Sequence, residues 1–163
     1  MTVSLLQLST TDCEALATGR IPARFADRVA LGAIPPPFVA VRSLKIAAEG
    51  HPTPWSTTFL IVRNEDGNIV GGCGFKNFPS NGRVEVGYGV APSAQGQGVA
   101  TAALNLLVKI GFDAGANEIF AEIIPSNLGS TRVVQKMGFV LIGSYVDDEN
   151  ELVNQWIKRC ELA

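Results

Sequence analysis

Residues 95–100 read Gln-Gly-Gln-Gly-Val-Ala and sit where one hydrophobic period gives way to another. Residues 84–90 alternate with the two-residue period of a strand, whereas Val99, Ala103, Leu106, Leu107 and Ile110 follow helical spacing. A strand, a tight glycine-rich turn and a helix start bring backbone N–H groups together. The first N–H groups of a helix have no intrahelical acceptor and lie at the positive end of its dipole, so an anion such as a phosphate is held there by several donors at once. Gly96 and Gly98 keep side chains out of the approach. Val90, Gln95, Gly96, Gln97, Gly98, Val99 and Ala100 are therefore the candidate ligand-holding residues. Other phosphate motifs fit worse. A dinucleotide fingerprint begun at Gly96 puts Thr101 at its last position, with no acidic residue following on a strand at the usual distance, and no Gly-Lys-Ser/Thr occurs.

Two carboxylates are candidates for proton transfer. Glu85 shares a strand face with Gly87 and Gly89, which leave room for a ligand against the backbone. Its competing reading is a solvated carboxylate paired with Arg83 or Arg63, worth about 0–1 kcal/mol. Glu122 has no glycine beside it, and a sheet-edge salt bridge is its ordinary explanation. His51 is the only histidine and lies in a Pro-rich stretch, so no histidine-based metal cluster is expected. Cys13, Cys73 and Cys160 show no Cys-x-x-Cys spacing and read as buried thiols rather than a disulfide framework or zinc site.

The surrounding elements follow from periodicity and punctuation. Residues 3–8 form a strand, and Thr11 with Glu14 makes a capping box for a short helix ending near Gly19. Pro35, Pro36 and Pro37 break the chain before a helix carrying Phe38, Val41 and Leu44 and closed by Gly50. Residues 57–62 and 69–75 pair through the Asp66-Gly67 turn, and residues 83–90 add a third strand. After the central helix come a strand at 118–124, a helix at 131–137 and a closing hairpin of 140–145 with 152–158. Helical crossovers give parallel strands and hairpins antiparallel ones, so an α/β sheet of mixed direction is expected.

Composition suits one domain over residues 1–163, with 47% hydrophobic and 17% charged residues. A net charge of -2 offers no footprint for nucleic acid or an anionic membrane surface. No apolar stretch approaches the ~20 residues of a membrane span, and residues 1–8 lack signal-peptide features, which points to the cytoplasm. Monomer and homodimer both remain open, with residues 35–38 and Trp156 as apolar contributors to a dimer contact.

Gln95, Gly98 and Ala100 fill the pattern Gln/Arg-x-x-Gly-x-Gly/Ala, which resembles the acyl-CoA-binding motif of the GCN5-related N-acetyltransferase (GNAT) family. Downstream, Asn127-Leu128-Gly129-Ser130 and Lys136-Met137-Gly138-Phe139 resemble signatures of its ribosomal-protein-alanine-acetyltransferase-like branch, so the likeness covers residues 83–139. The resemblance implies an α+β layered fold: a mixed, mostly antiparallel sheet of six to seven strands flanked by helices. In that fold the strand ending at Val90 and the strand at 119–124 run parallel and splay apart to admit the cofactor. It also implies acetyl transfer from acetyl-CoA to a primary amine, directly within a ternary complex and without a metal. The acceptor is a protein N-terminal α-amine or a small-molecule amine.

By the same resemblance, Glu85 stands at a position where the family places a catalytic glutamate. The Val90 N–H becomes the thioester oxyanion donor. The tyrosine that much of the family carries after the second motif is absent here, leaving Ser130 as its substitute beside the thiolate. Asn127 either contacts the pantetheine arm or caps the following helix. Acceptor recognition is implied for residues 21–55 and 147–150, where Asp147, Asp148 and Glu149 either attract a cationic amine or form a solvated turn. The missing tyrosine also makes a non-catalytic acyl-CoA-binding sensor or regulatory module the alternative reading.

Overall fold

The computed structural model describes residues 2–161, so Met1, Leu162 and Ala163 of the expected domain lie outside it. In chain order the elements are β1 (Val3–Gln7), α1 (Thr10–Ala17), α2 (Pro37–Ala48), β2 (Thr58–Arg63), β3 (Ile69–Phe75), β4 (Arg83–Val90), α3 (Val99–Asp113), β5 (Glu118–Ile123), α4 (Leu128–Lys136), β6 (Val140–Val146) and β7 (Leu152–Arg159). The strands form one seven-stranded sheet in the order β1-β2-β3-β4-β5-β7-β6. Each neighbouring pair is antiparallel except β4 with β5. The expected mixed, mostly antiparallel sheet is thus observed, at the upper end of the six to seven strands foreseen.

Strand alternation sends apolar side chains to both faces, and each face receives its own helices. On one face Ile61, Val84, Val86, Ile119 and Ala121 pack with Ala103, Leu104 and Leu107 of α3 and Val134 of α4. On the other, Leu60 and Ile69 pack with Cys13 and Leu16 of α1, Phe25 of the segment that follows, and Ala40 of α2. Burying Leu104 or Leu107 completely contributes roughly 1.5–3 kcal/mol each. These clusters hold β4 and α3 in place from behind, and α2 in place over the opposite face.

Two helix starts differ from expectation. The capping box of α1 is built by Ser9 and Asp12, not Thr11 and Glu14. The pattern fits both pairs, and a tertiary contact decides between them, because Arg24 clamps the buried Asp12 through both carboxylate oxygens. Burial raises the Asp12 carboxyl pKa, but hydrogen bonds from Arg24 and Ser9 outweigh that and hold it below the ordinary value. Asp12→Ala should therefore lower stability by about 1–3 kcal/mol, since it removes a cap partner and a charge-assisted pair. A carboxyl depressed in the folded state stabilises above its unfolded pKa, and that contribution fades as pH falls through the folded value. Denaturant midpoints of wild type and Asp12→Ala should accordingly differ at pH 7 and converge in acid. The second difference is α4, which starts at Leu128 rather than Thr131 because Asn127 caps it.

Trp156 is buried among β5 and β7 neighbours, so its expected place at a dimer contact is overturned. Exposed apolar side chains lie instead along β6, the outer strand, at Val140, Leu141, Ile142, Tyr145 and Val146. Cys13 and Cys73 are buried as expected, whereas Cys160 is only partly so. Among the described residues, no helix is long and apolar enough to cross a membrane.

Candidate active site

The strands β4 and β5 pair only from Arg83, Val84 and Glu85 to Glu118, Ile119 and Phe120. Residues 86–90 and 121–123 continue without pairing to each other, so the two strands part and leave backbone groups facing the gap. The Ala91 N–H donates to the Val70 carbonyl at 2.7 Å. In an antiparallel ladder this turns the preceding amide, Val90 N–H, away from β3 and towards the opening. The carbonyl of Val90 is taken by Gln95 Nε2 at 3.4 Å, which ties the end of β4 to the turn that follows.

That turn delivers the start of α3 to the mouth of the opening. Gly98 is the N-cap of α3 with φ +79° and makes no side-chain cap, so the first-turn amides meet no capping side chain. Gly96 also has a positive φ, +75°, and a Cβ at either glycine would meet nothing within 4 Å. Gln97 Nε2 reaches back to the Ser93 carbonyl at 3.1 Å and helps hold the loop. A fifteen-residue helix with an uncapped, acid-free first turn and clear space before it fits an anionic group by both dipole and donors.

Across the gap, Asn127 Oδ1 accepts from the Ser130 N–H at 3.1 Å, which realises the capping alternative for Asn127. Ser130 is half-buried, and its carbonyl accepts from Tyr88 Oη at 3.3 Å. Tyr88 thus stitches β4 to α4 over the parting strands, and burial raises its hydroxyl pKa above the ordinary value. The segment 127–134 has no tyrosine, yet a tyrosine reaches Ser130 from a strand distant in sequence. Alternation along β4 puts Tyr88 on the face opposite Glu85, a signal the sequence contains without naming the partner.

On the face that Glu85 shares, Gly72 pairs with Gly89 and Gly74 with Gly87, giving a floor of bare backbone. A cleft of about 340 Å³ lies over it, walled by Ile34, Pro35, Phe38, Val39 and Arg42. Glu85 borders this floor, half-buried, and its carboxylate pairs with Lys76 Nζ at 2.9 Å. Neither expected partner binds it: Arg83 pairs with Glu118, and Arg63 pairs with Asp66. Lys76 wins because it follows β3 directly and its N–H donates to the Glu85 carbonyl, setting the two side chains together.

Glu122 is not at a sheet edge, since β5 lies between β4 and β7. It accepts a hydrogen bond from Gln155 at 3.3 Å rather than entering a salt bridge. Burial and then the charge of Glu85 raise its carboxyl pKa. His51 stacks on Phe78 at 4.0 Å between ring centroids. Asp147 accepts from the N–H groups of Glu149 and Glu151, so it shapes the β6–β7 turn. Arg42, Lys76 and Tyr88 are site residues that sequence reasoning missed. For Arg42, its position one helical turn after Phe38 was the available signal, because residues four apart share a helix face.

A family model described as an acetyltransferase (GNAT) domain matches residues 5–140. The chain belongs to the GNAT acetyltransferase family. An N-acetyltransferase p20 from Bacillus licheniformis is 32% identical over 93 residues, which are 56% of this GNAT chain and 52% of that protein. The chain therefore spans about half the length of that curated relative. The ribosomal-protein-S5-alanine acetyltransferase of Vibrio fischeri superposes with TM-score 0.70 at 18% identity, covering 99% of this chain and 94% of the other. Mycobacterium smegmatis RimJ in complex with CoA-disulfide gives TM-score 0.68 at 23% identity, covering 98% and 82%. These superpositions carry the GNAT fold across nearly the whole chain.

Proposed function

We propose that the protein is an acetyl-CoA-dependent N-acetyltransferase that acts on a primary amine by direct transfer. The observation that carries this reading is the parallel β4–β5 pair that opens past Glu85 and Phe120, with the uncapped start of α3 at its mouth. The clear space at Gly96 and Gly98 and the free first-turn amides fit a pyrophosphate, and the unpaired strand edges fit a pantetheine arm. Acetyl-CoA supplies an acetyl thioester, whose C–S bond breaks as the amine forms the new C–N bond.

The chain's own residues account for charge and protons. Backbone N–H groups of residues 96–100 hold the anionic end, while the Gln95 N–H is taken by the Pro92 carbonyl at 3.3 Å and the side chains of Gln95 and Gln97 brace the turn. The Val90 N–H, turned into the opening, donates to the oxygen on which negative charge develops. An amine of pKa ~8 for an α-amine or ~10.4 for a lysine-like one arrives mostly protonated, so a proton must be removed first. Glu85 takes that proton, directly or through water. Ser130, whose main chain is held by the Asn127 cap and by Tyr88, is in this reading the donor of a proton to the departing sulfur. Asn127 uses Oδ1 for the cap, leaving Nδ2 as its donor towards the opening.

Calorimetric titration with acetyl-CoA, with ATP and NAD as controls, tests the cofactor without knowledge of the acceptor. Selective binding near -8 kcal/mol, about micromolar, is the expected result. Release of CoA on addition of amines then tests transfer. Binding with no release for any amine would reassign the chain to cofactor sensing, and tighter binding of ATP or NAD would remove the pyrophosphate assignment.

A further inference from the structure

Arg42 is the cation that the acetyl-transfer reading leaves without a task. It projects from α2 into the cleft over the glycine floor and also lines a neighbouring cleft of about 560 Å³. Its Nε is buried with no hydrogen-bond partner, and it forms no ion pair with any described residue. A buried guanidinium N–H left unpaired is costly, more so than the same group satisfied by an acceptor. Burial lowers the pKa of Arg42, and the charge of Glu85 opposes that shift from a distance. Glu85 itself is engaged by Lys76. The cleft lining carries two cations, Arg42 and Lys76, and no carboxylate; Lys76 is paired with Glu85 at the border, so the cation without a partner is Arg42.

We infer that the acceptor is a primary amine that also carries a carboxylate, with Arg42 as the residue that receives the carboxylate; this rests on the acetyl-transfer reading above. A guanidinium offers a planar fork that matches a carboxylate with two parallel hydrogen bonds, which a lysine cannot reproduce. Arg42 lines the same cleft as Gly89 and Val90 at the end of β4, so one acceptor molecule meets the arginine with its acid and the opening with its amine. Phe38, Pro35 and Val39 add apolar surface to that lining, suited to an aliphatic or aromatic side chain. A polycationic amine would instead bring positive charge against Arg42 and Lys76. The acid-bearing amine can be a free amino acid or an acidic peptide, and the two are separable by experiment.

The test is CoA release by the full chain at saturating acetyl-CoA. The panel comprises free L-amino acids, the matching amino-acid amides, short peptides with Asp or Glu near the N-terminus, spermidine and kanamycin. Acids should exceed their own amides in kcat/KM by about tenfold or more, as expected for loss of a charge-assisted pair. Preference for free amino acids over acidic peptides, or the reverse, identifies the source of the carboxylate. Arg42→Gln should raise KM for the acids by about tenfold while acetyl-CoA affinity is kept, and Arg42→Lys should restore only part of the loss. Equal turnover of acids and amides, or preference for spermidine or kanamycin, overturns this inference and leaves acetyl transfer standing. Turnover of no amine overturns both. The acid-to-amide comparison uses the wild-type protein, so it holds even where an Arg42 variant misfolds.

Discussion

Gly98→Glu is expected to leave the protein folded and to reduce acetyl-CoA affinity by about 100-fold or more. Gly98 has φ +79° and clear space for 4 Å around a Cβ, so the fold has no steric objection to a side chain there. The backbone cost of a non-glycine residue in this left-handed region is about 1–2 kcal/mol. The cost to binding is larger, because the new carboxylate enters the space where the pyrophosphate is proposed to sit and brings negative charge to the donors of α3. Gly98→Ala separates the two effects, sharing the backbone strain without the charge. Calorimetry of both variants, alongside their thermal midpoints, checks the assignment. Unchanged affinity in a folded Gly98→Glu protein would falsify it.

Glu85→Gln should keep acetyl-CoA binding and lower kcat by about 10²- to 10⁴-fold, the range for loss of a general base. The deficit should be largest below the pKa of the acceptor amine, where proton removal is needed, and should shrink as pH rises and the amine deprotonates itself. The substitution also frees Lys76, since their 2.9 Å ion pair is lost. A carboxylate-bearing acceptor would therefore not bind more weakly, so the loss belongs in kcat rather than KM. Glu122→Gln is the matched control. Burial and the Glu85 charge raise the Glu122 carboxyl, so a proton-transfer role for it would shift the acidic limb of the pH profile above the ordinary carboxylate value. Full activity of Glu85→Gln together with failure of Glu122→Gln would move the base to Glu122.

The structure of the proposed cofactor side was legible in sequence because it is local. The strand, the glycine turn and the start of α3 lie within residues 84–100, and period and glycine placement describe them completely. Strand boundaries followed from the same alternation. What escaped was decided by pairing between distant segments. Glu122 looked like an edge residue because nothing local says that β7 inserts between β5 and β6. Lys76 as the partner of Glu85 depends on the β3–β4 register, and the Tyr88–Ser130 contact joins residues 42 apart in sequence. The capping box slipped by two residues because Ser9-x-x-Asp12 and Thr11-x-x-Glu14 are equivalent as patterns, and only the distant Arg24 distinguishes them. Arg42 carried no motif at all; its significance is its burial without a partner.

The glycine floor has a consequence for how such a protein changes over generations. Gly72, Gly74, Gly87 and Gly89 present main chain alone to whatever lies above them, and a Cβ added at Gly72 would come within 2.5 Å of Pro35 Cγ, so the floor itself has little room to vary. In the proposed reading, discrimination between acceptors is left to the covering segment at residues 32–42, which belongs to the packing cluster on the far side of the sheet from α3. Mutations there would exchange one clientele for another while the strands and the α3 turn, to which the transfer chemistry is proposed to belong, stay untouched. The architecture thus separates inheritance of the reaction from inheritance of its customers, and grafting residues 32–42 between relatives is the natural route to a new specificity.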